Sequence, residues 1–569
     1  VLLVAALAVI GLAGCVPNPG AQPTAATASN DDGTSSFGAY LAGTAAAEAG
    51  DFGVASHYLE RALSDDPQNL ELLRQTFTVE TGEGNIARSV ELARRLIAVE
   101  PDFTVAELVL AVEEIKAGKL EASDQRLGAL PGTGLNNLLV PISRAWIAAG
   151  RKDKDAATAD MQPLSTVAAF QTLYNLHLGL MMDLIGDQDA AQARFDAIFS
   201  ADAQPPFRVI ELVGNYYERH GQADRARQLY NDFQTHNPDN VLLSTAFQRL
   251  TSGTVPRASV ATLGDGLAEA VFDIAFIVQH ERPGDQLALV YDRIALSLKP
   301  DFPMGEMLLA DILETANRER DAIAVYRQIR PDSPFGWSAR LRAAGAEDAS
   351  GDTDRAVAEL QQMSVEAPER ADALAELGDI LRSHERFAES AVAYDTAISR
   401  LPHVEKRDWP LLFSRAIAFE RNNQIPQAVA DLEHALQLQP DEPYVLNYLG
   451  YVWVEKGINL PRARQMIEKA VTLRPNDGSI VDSLGWACYQ EGKFSDAVRF
   501  LERAAELRPH DPTINDHLGD AYWQVGRRAE AHTQWQRALS FDADPPLRAA
   551  IAHKLESGAA KPKSAEQHL

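Results

Sequence analysis

The 569-residue chain has two thiols, Cys15 and Cys488. Two cysteines can neither frame a disulfide scaffold nor complete a cysteine-rich zinc site. Cys488 stands at a packing phase of an apolar helical stretch and is expected to be a small buried hydrophobe. Cys15 closes an apolar run, residues 1–14. The thirteen histidines are scattered. His510 and His517, with Asp511 and Asp516, have the donor types of a metal site, but capping and surface roles account for them better, so no metal is expected. The sequence holds no nucleophile elbow, zinc-protease helix or phosphate loop. Gly118-Lys119 and Gly492-Lys493 are followed by Leu120 and Phe494, where a phosphate loop needs Ser or Thr. No catalytic residue and no cofactor are expected; an enzyme with an unrecognised site is the alternative.

Composition points the same way. The formal charge of −27 repels nucleic acid and anionic lipid alike, because both are bound through clustered Lys and Arg. Alanine and leucine dominate, which favours helices over strands.

The elements that must position any site repeat along the chain. Pro67 and Pro101 are 34 apart; Pro300, Pro334, Pro368 and Pro402 keep that step, and Pro440, Pro475 and Pro509 follow at 38, 35 and 34. Other residues keep phase with them. In one unit Leu484 and Gly485 sit midway along a first helix, Gly492 ends it, Ser495 is placed to cap a second helix, and Ala497, Leu501 and Ala504 form that helix's inner face. The next unit repeats this with Leu518, Gly519, Tyr522, Gly526, Ala531, Trp535 and Ala538; the preceding one with Leu446, Leu449, Gly450, Trp453, Gly457, Ala463, Ile467 and Ala470. Glycine or alanine at a crossing point lets two antiparallel helices approach closely while larger residues fill the rest. Asp441, Asn476 and Asp511 are placed to cap the helix that follows each proline.

This pattern resembles the tetratricopeptide repeat, residue type by residue type. The resemblance implies an all-α fold of the α-solenoid class, a superhelical array of about twelve helix pairs. The boundaries read from the sequence are 37–238 for an N-terminal array, 239–266 for a Gly/Ser/Thr/Pro-rich hinge, 267–545 for a C-terminal array, and 546–569 for a capping helix and tail. In the resembled family the first helices line a concave surface. Projected onto this chain, that surface carries Tyr444, Asn447 and Tyr451, then Asp482, Trp486 and Tyr489, then Asp516, Asp520 and Trp523. Aromatic anchors among acidic and amide groups suit an extended peptide or a partner's helix. The same aromatics could instead fill seams between repeats, and both readings stand at this point. Positions where some family members use Lys, Arg and Asn to clamp a carboxylate are here mostly Asp, Tyr and Trp, which points to a basic or apolar ligand.

Residues 1–14, VLLVAALAVIGLAG, form an uncharged apolar run, too short to span a bilayer comfortably and suited to a signal-peptide core. A truncated or non-standard start would explain the absence of a basic leader before it. The run ends Leu12-Ala13-Gly14-Cys15, which resembles the lipobox of bacterial lipoproteins; a secretory signal with an accidental cysteine is the alternative. The resemblance implies cleavage before Cys15 and acylation of its sulfur, with residues 15–36 a small, polar tether. Val16 stands where aspartate would favour inner-membrane retention, so the expected location is the outer membrane, facing the periplasm. The block NYLGYVWVEKG … DSLGWACYQEGKF … DHLGDAYWQVGRR is similar to a periplasmic adaptor family that includes the outer-membrane partner of carboxyl-terminal processing proteases. The expected partners are therefore proteins or peptides, such as a periplasmic protease or a cell-wall hydrolase. A scaffold for secretion or polysaccharide-export machinery is the second reading.

Overall fold

The computed structural model describes residues 35–201, 204–237, 242–281 and 286–558. The signal segment, Cys15, most of the tether and the end of the tail lie outside the described residues. Every regular element among the described residues is helical. The chain divides into two compact units at 352/353.

In unit 1, twelve helices pack as six consecutive hairpins. These are α1 (Ser36–Glu48) with α2 (Phe52–Asp65), α3 (Leu70–Gly82) with α4 (Ile86–Ile97), and α5 (Thr104–Lys116) with α6 (Leu120–Gly128). Next come α7 (Asn136–Gly150) with α8 (Lys154–Met161), α9 (Gln171–Ile185) with α10 (Gln188–Ala201), and α11 (Phe207–Arg219) with α12 (Ala223–His236). A short helix, α13 (Ser244–Ser252), stands inside the stretch read from sequence as a hinge. Two further hairpins follow, α14 (Leu263–Glu281) with α15 (Gln286–Leu298) and α16 (Pro303–Thr315) with α17 (Glu319–Tyr326), then α18 (Gly336–Ala349).

The α14–α15 hairpin returns to the first helices of the earlier hairpins: α14 packs on α7 and α9, and α15 on α3 and α5. At the contact, Gly266 leaves no room for a side chain, since a Cβ there would lie 2.2 Å from the Trp146 ring. Trp146 Nε1 donates to His177 Nδ1 at 3.1 Å, and His177 Nε2 donates to Asp273 of α14 at 2.8 Å. The buried Glu269 of α14 takes Arg208 of α11 and Lys299; burial pushes its carboxyl up, but the two cations together hold it below the usual range. Residues on both sides of 239–266 thus belong to one unit, and the contacts divide the chain elsewhere. Local periodicity reports neighbouring hairpins; it carries no mark of a hairpin that folds back across them.

Unit 2 begins with α19 (Thr353–Glu366). Five hairpins follow: α20 (Asp372–Ser383) with α21 (Phe387–Ser399), α22 (Trp409–Arg421) with α23 (Ile425–Leu438), α24 (Pro443–Lys456) with α25 (Leu460–Leu473), α26 (Gly478–Gln490) with α27 (Phe494–Leu507), and α28 (Pro512–Gln524) with α29 (Arg528–Ser540). The last helix among the described residues, α30 (Pro545–Ser557), packs on α29. The crossing glycines work as the pattern requires. A Cβ on Gly485 would lie 2.6 Å from Leu501 Cγ, and one on Gly519 2.5 Å from the Trp535 ring. Gly492 turns the chain between α26 and α27 at φ +76°, and Asn423 takes the same left-handed role at φ +57°.

Two details differ from the sequence reading. The caps of α24 and α26 are Glu442 and Asp477, not Asp441 and Asn476. Pro443 and Gly478 occupy the first helical positions, so the cap is the residue immediately before each; Asp441 instead pairs with Lys469, and Asn476 accepts from Arg503. Ser495 does not cap α27, which already starts at Phe494 straight out of the Gly492 turn.

Candidate functional site

The first-helix face of unit 2 is set by how each helix starts. Asp477 accepts from Ser479 N and Ile480 N, and Asp511 from Thr513 N and Ile514 N, at 3.0–3.3 Å. Proline at the start of α24 and α28 fixes the first turn. Along each of these helices residues three and four apart share one face, and α24 packs on α26 and α26 on α28, a strip of first helices.

Along that strip the aromatic residues meet. Phe413 of α22 stands edge-on to Tyr448 at 5.6 Å. The Tyr448 hydroxyl donates to Glu420 at 3.2 Å. Trp486 donates its indole N–H to Glu455. Its ring is sandwiched between Tyr489 at 4.7 Å and His517 at 4.0 Å, both nearly parallel to it. His517 holds Asp482 through Nδ1 at 3.0 Å. Burial pushes the His517 imidazole down, but Asp482, then Asp516 and Asp520, outweigh it and raise the pKa above the ordinary value.

The C-terminal end of the strip is occupied from within. Lys554 of α30 reaches both carboxylates of α28, Asp516 at 2.7 Å and Asp520 at 2.8 Å. Asp520 also accepts from Trp535 Nε1 at 3.1 Å. Burial raises the Asp520 carboxyl, with Lys554 opposing. At Gly558, where α30 ends, a Cβ would lie 2.0 Å from the Trp523 ring, so the chain lies directly on that indole.

The nine residues picked from sequence therefore fall into two groups. Tyr444 is 41% exposed, and Asn447, Tyr451 and Trp486 are half-buried on the open part of the strip. The side-chain oxygen of Asn447 is buried without a hydrogen-bond partner. Asp482, Tyr489, Asp516 and Asp520 are buried and already engaged by His517, Trp486, Lys554 and Trp535, while Trp523 is half-buried beneath Gly558. Trp486 joins α24, α26 and α28, so it fills a seam and presents an edge at once. Sequence reasoning missed Lys554 and the role of His517. A signal existed: Asp520 to Lys554 is 34 residues and Asp482 to His517 is 35, one repeat each, which sets complementary groups on adjacent first helices.

The suggested histidine–aspartate metal group is taken apart by the fold. Asp511 caps α28, Asp516 binds Lys554, His517 binds Asp482, and His510 packs edge-on to Phe541. Cys488 is fully buried, as expected of a small hydrophobe, and burial pushes its thiol up to about 11.

Family models described as tetratricopeptide repeat match residues 341–404 and 413–478, and a third stretch at 489–553. A TPR repeat-containing protein of Pseudomonas aeruginosa is 30% identical over 181 residues, which cover 32% of this chain and 30% of that protein. The match thus spans less than a third of that curated relative's length. Among solved structures, the APC/C hetero-tetramer Cut9–Hcn1 aligns over 92% of this chain and 96% of its own, at 15% identity and a TM-score of 0.38. A tetratricopeptide repeat protein from Parabacteroides merdae aligns over 39% of this chain and 88% of its own, at 18% identity and a TM-score of 0.34. With hairpins crossing at glycine and family models matching over the same helices, the chain carries tetratricopeptide repeats at 341–404, 413–478 and 489–553, a scaffold for binding other proteins.

Proposed function

We propose that this chain is a non-catalytic adaptor, held at the bacterial envelope by lipid on Cys15, that binds a protein partner along the open strip of α22, α24 and α26. The observation that carries the reading is the composition of that strip. Tyr444, Tyr451 and Trp486 present aromatic surface beside Glu420 and Glu455, on helices fixed by caps and close crossings. Rigid aromatics bury large area at small entropic cost, and flanking carboxylates favour a basic partner. Periplasmic location, with a carboxyl-terminal processing protease as one partner and a cell-wall hydrolase as its substrate, rests on the lipobox-like LAGC and the similarity of the last three repeats.

The test is co-purification from detergent-solubilised membranes with the protease and the hydrolase probed by name. The double variant Tyr444→Ala/Trp486→Ala is expected to lose the partner while circular dichroism retains the helical signal. Undiminished recovery by the folded variant, or hydrolase activity in the pure protein, overturns the reading. Mass spectrometry of the mature N-terminus tests the anchor separately: an unmodified Cys15 removes it.

A further inference from the structure

Unit 1 contains a second open face that the strip in unit 2 does not account for. It is built by three first helices, α14, α16 and α18. Phe272, Phe276, Met304, Met307 and Leu308 line a groove of about 470 Å³ between them. Phe276 is 43% exposed, with its ring 4.0 Å from that of His280 and 6.1 Å from that of Phe272. An exposed phenylalanine beside two methionines is an unusual outward face for a helix, because methionine adapts its shape to whatever packs on it. One polar atom in the groove lacks a partner. Gln279 donates through Nε2 to Thr315 at 3.3 Å, while its Oε1 is buried with nothing to accept from. The rim carries Asp311 and Glu314, which share the single guanidinium of Arg342 and the hydroxyl of Tyr326. Two carboxylates against one cation leave the rim negative.

We propose that this groove docks an amphipathic helix of a partner protein, apolar on one side and flanked by lysine or arginine. Two observations select that occupant. First, unit 1 already shows what its first-helix faces accept: those of α3, α5, α7 and α9 receive the helices α14 and α15, seated on apolar surface, with Asp273 of α14 accepting a hydrogen bond from His177 of α9 and Glu269 of α14 paired with Arg208 of α11. Second, the negative rim discriminates by sign. A further copy of this chain, at a formal charge of −27, brings like charge to it. A lysine or arginine at the helix flank reaches Asp311 or Glu314.

The experiment uses the full chain and two labelled synthetic helical peptides of about 18 residues. Both carry the same leucine–phenylalanine face; one is flanked by lysine and the other by glutamate. Fluorescence anisotropy reads binding. The lysine peptide is expected to bind, at least about tenfold tighter than the glutamate peptide, with the difference shrinking in about 0.5 M salt. Phe276→Ser, at an exposed position that leaves the fold intact, is expected to weaken the lysine peptide about tenfold or more. Trp486→Ala, which tests the strip in unit 2, is expected to leave it unchanged. Equal binding of the two peptides, indifference to Phe276→Ser, or loss carried by Trp486→Ala overturns the proposal. So does a Phe276-dependent dimer in sedimentation, which assigns the face to a second copy of the chain.

Discussion

Replacing Lys554 by methionine strips two buried carboxylates of their shared cation at once. Asp516 and Asp520 are each 4% exposed, and the ammonium lies 2.7 and 2.8 Å from them. Removing one member of a buried ionic group costs about 3–5 kcal/mol, because the remaining charge stays desolvated and unpaired. Lys554 keeps a fifth of its side chain in solvent, which places the expected loss near the lower figure. The apolar anchoring of α30 is of similar size: Ile551 is its one fully buried side chain, and burial of an isoleucine contributes roughly 1.5–3 kcal/mol. Losing the ionic latch should therefore free α30 before the rest of unit 2 yields. Hydrogen exchange is the assay. Amides of α30 are expected to lose most of their protection, with Trp523 emission shifting red as Gly558 lifts from the indole, while α20 to α25 exchange as before. The triple variant Lys554→Met/Asp516→Leu/Asp520→Asn should recover most of the loss, since it removes the stranded charges with the cation. A cost below about 1 kcal/mol in urea unfolding, as for a surface pair, would refute the latch, and so would exchange that rises equally in α20 to α25.

Gly485→Leu should cost about 1–3 kcal/mol or more, because even a Cβ there would sit 2.6 Å from Leu501; hydrogen exchange should localise the damage to helices near α26 and α27 and leave unit 1 unchanged. His517, whose pKa is raised above its ordinary 6.5, contributes stability that is complete below that pH and lost as pH climbs through the raised value. Thermal melts should therefore fall as pH rises from about 6 through that raised pKa, and His517→Gln should flatten the slope. Asp292 is fully buried in α15, neither carboxyl oxygen has a partner, and burial holds its pKa well above the ordinary 3.8. Its neutral form is compatible with folding at low pH, and stability is lost as pH rises through the raised pKa. Asp292→Leu should then stabilise the protein by about 1–3 kcal/mol at pH 8, with a smaller gain in acid, where the buried carboxyl is neutral but still unpartnered; an equal gain at both pH values would refute this account.

Much of the fold is written locally, and the parts that are not have identifiable reasons. The prolines and crossing glycines report contacts between a helix and its immediate successor, so the hairpins of unit 2 and the final helix are legible in their spacing. Cap positions slip by one at Asp441 and Asn476, because the residue at the first helical position, Pro443 or Gly478, decides which side chain precedes the turn. The return of α14 and α15 onto α3 to α9 is a long-range pairing with no period to announce it. It also places α13 and both flanks of the expected hinge within unit 1. The site shows the same division. Helical phase places Tyr444 and Tyr451 on α24, Asp482 and Trp486 on α26, and Asp516 and Asp520 on α28, at the spacing the sequence projected for one face. Phase alone does not reveal that Lys554 of α30 supplies the cation that satisfies two of them.

That distinction changes what the acidic character of unit 2 can do. Most carboxylates on or near the strip are already answered: Asp482 by His517, Asp516 and Asp520 by Lys554, Asp379 by Arg382, Asp431 by Arg415. Glu420 and Glu455 are spent differently, each accepting from an aromatic donor, Tyr448 or Trp486, and so fixing a ring's orientation. A basic partner that displaced either bond would exchange one hydrogen bond for another and gain little affinity from it. Affinity on this strip must then come from the ring faces and from Tyr444, the most exposed of them, while the surplus negative charge accelerates encounter. The two contributions separate experimentally. Salt should slow association with little effect on dissociation, and truncating Tyr444 or Trp486 should speed dissociation with little effect on association.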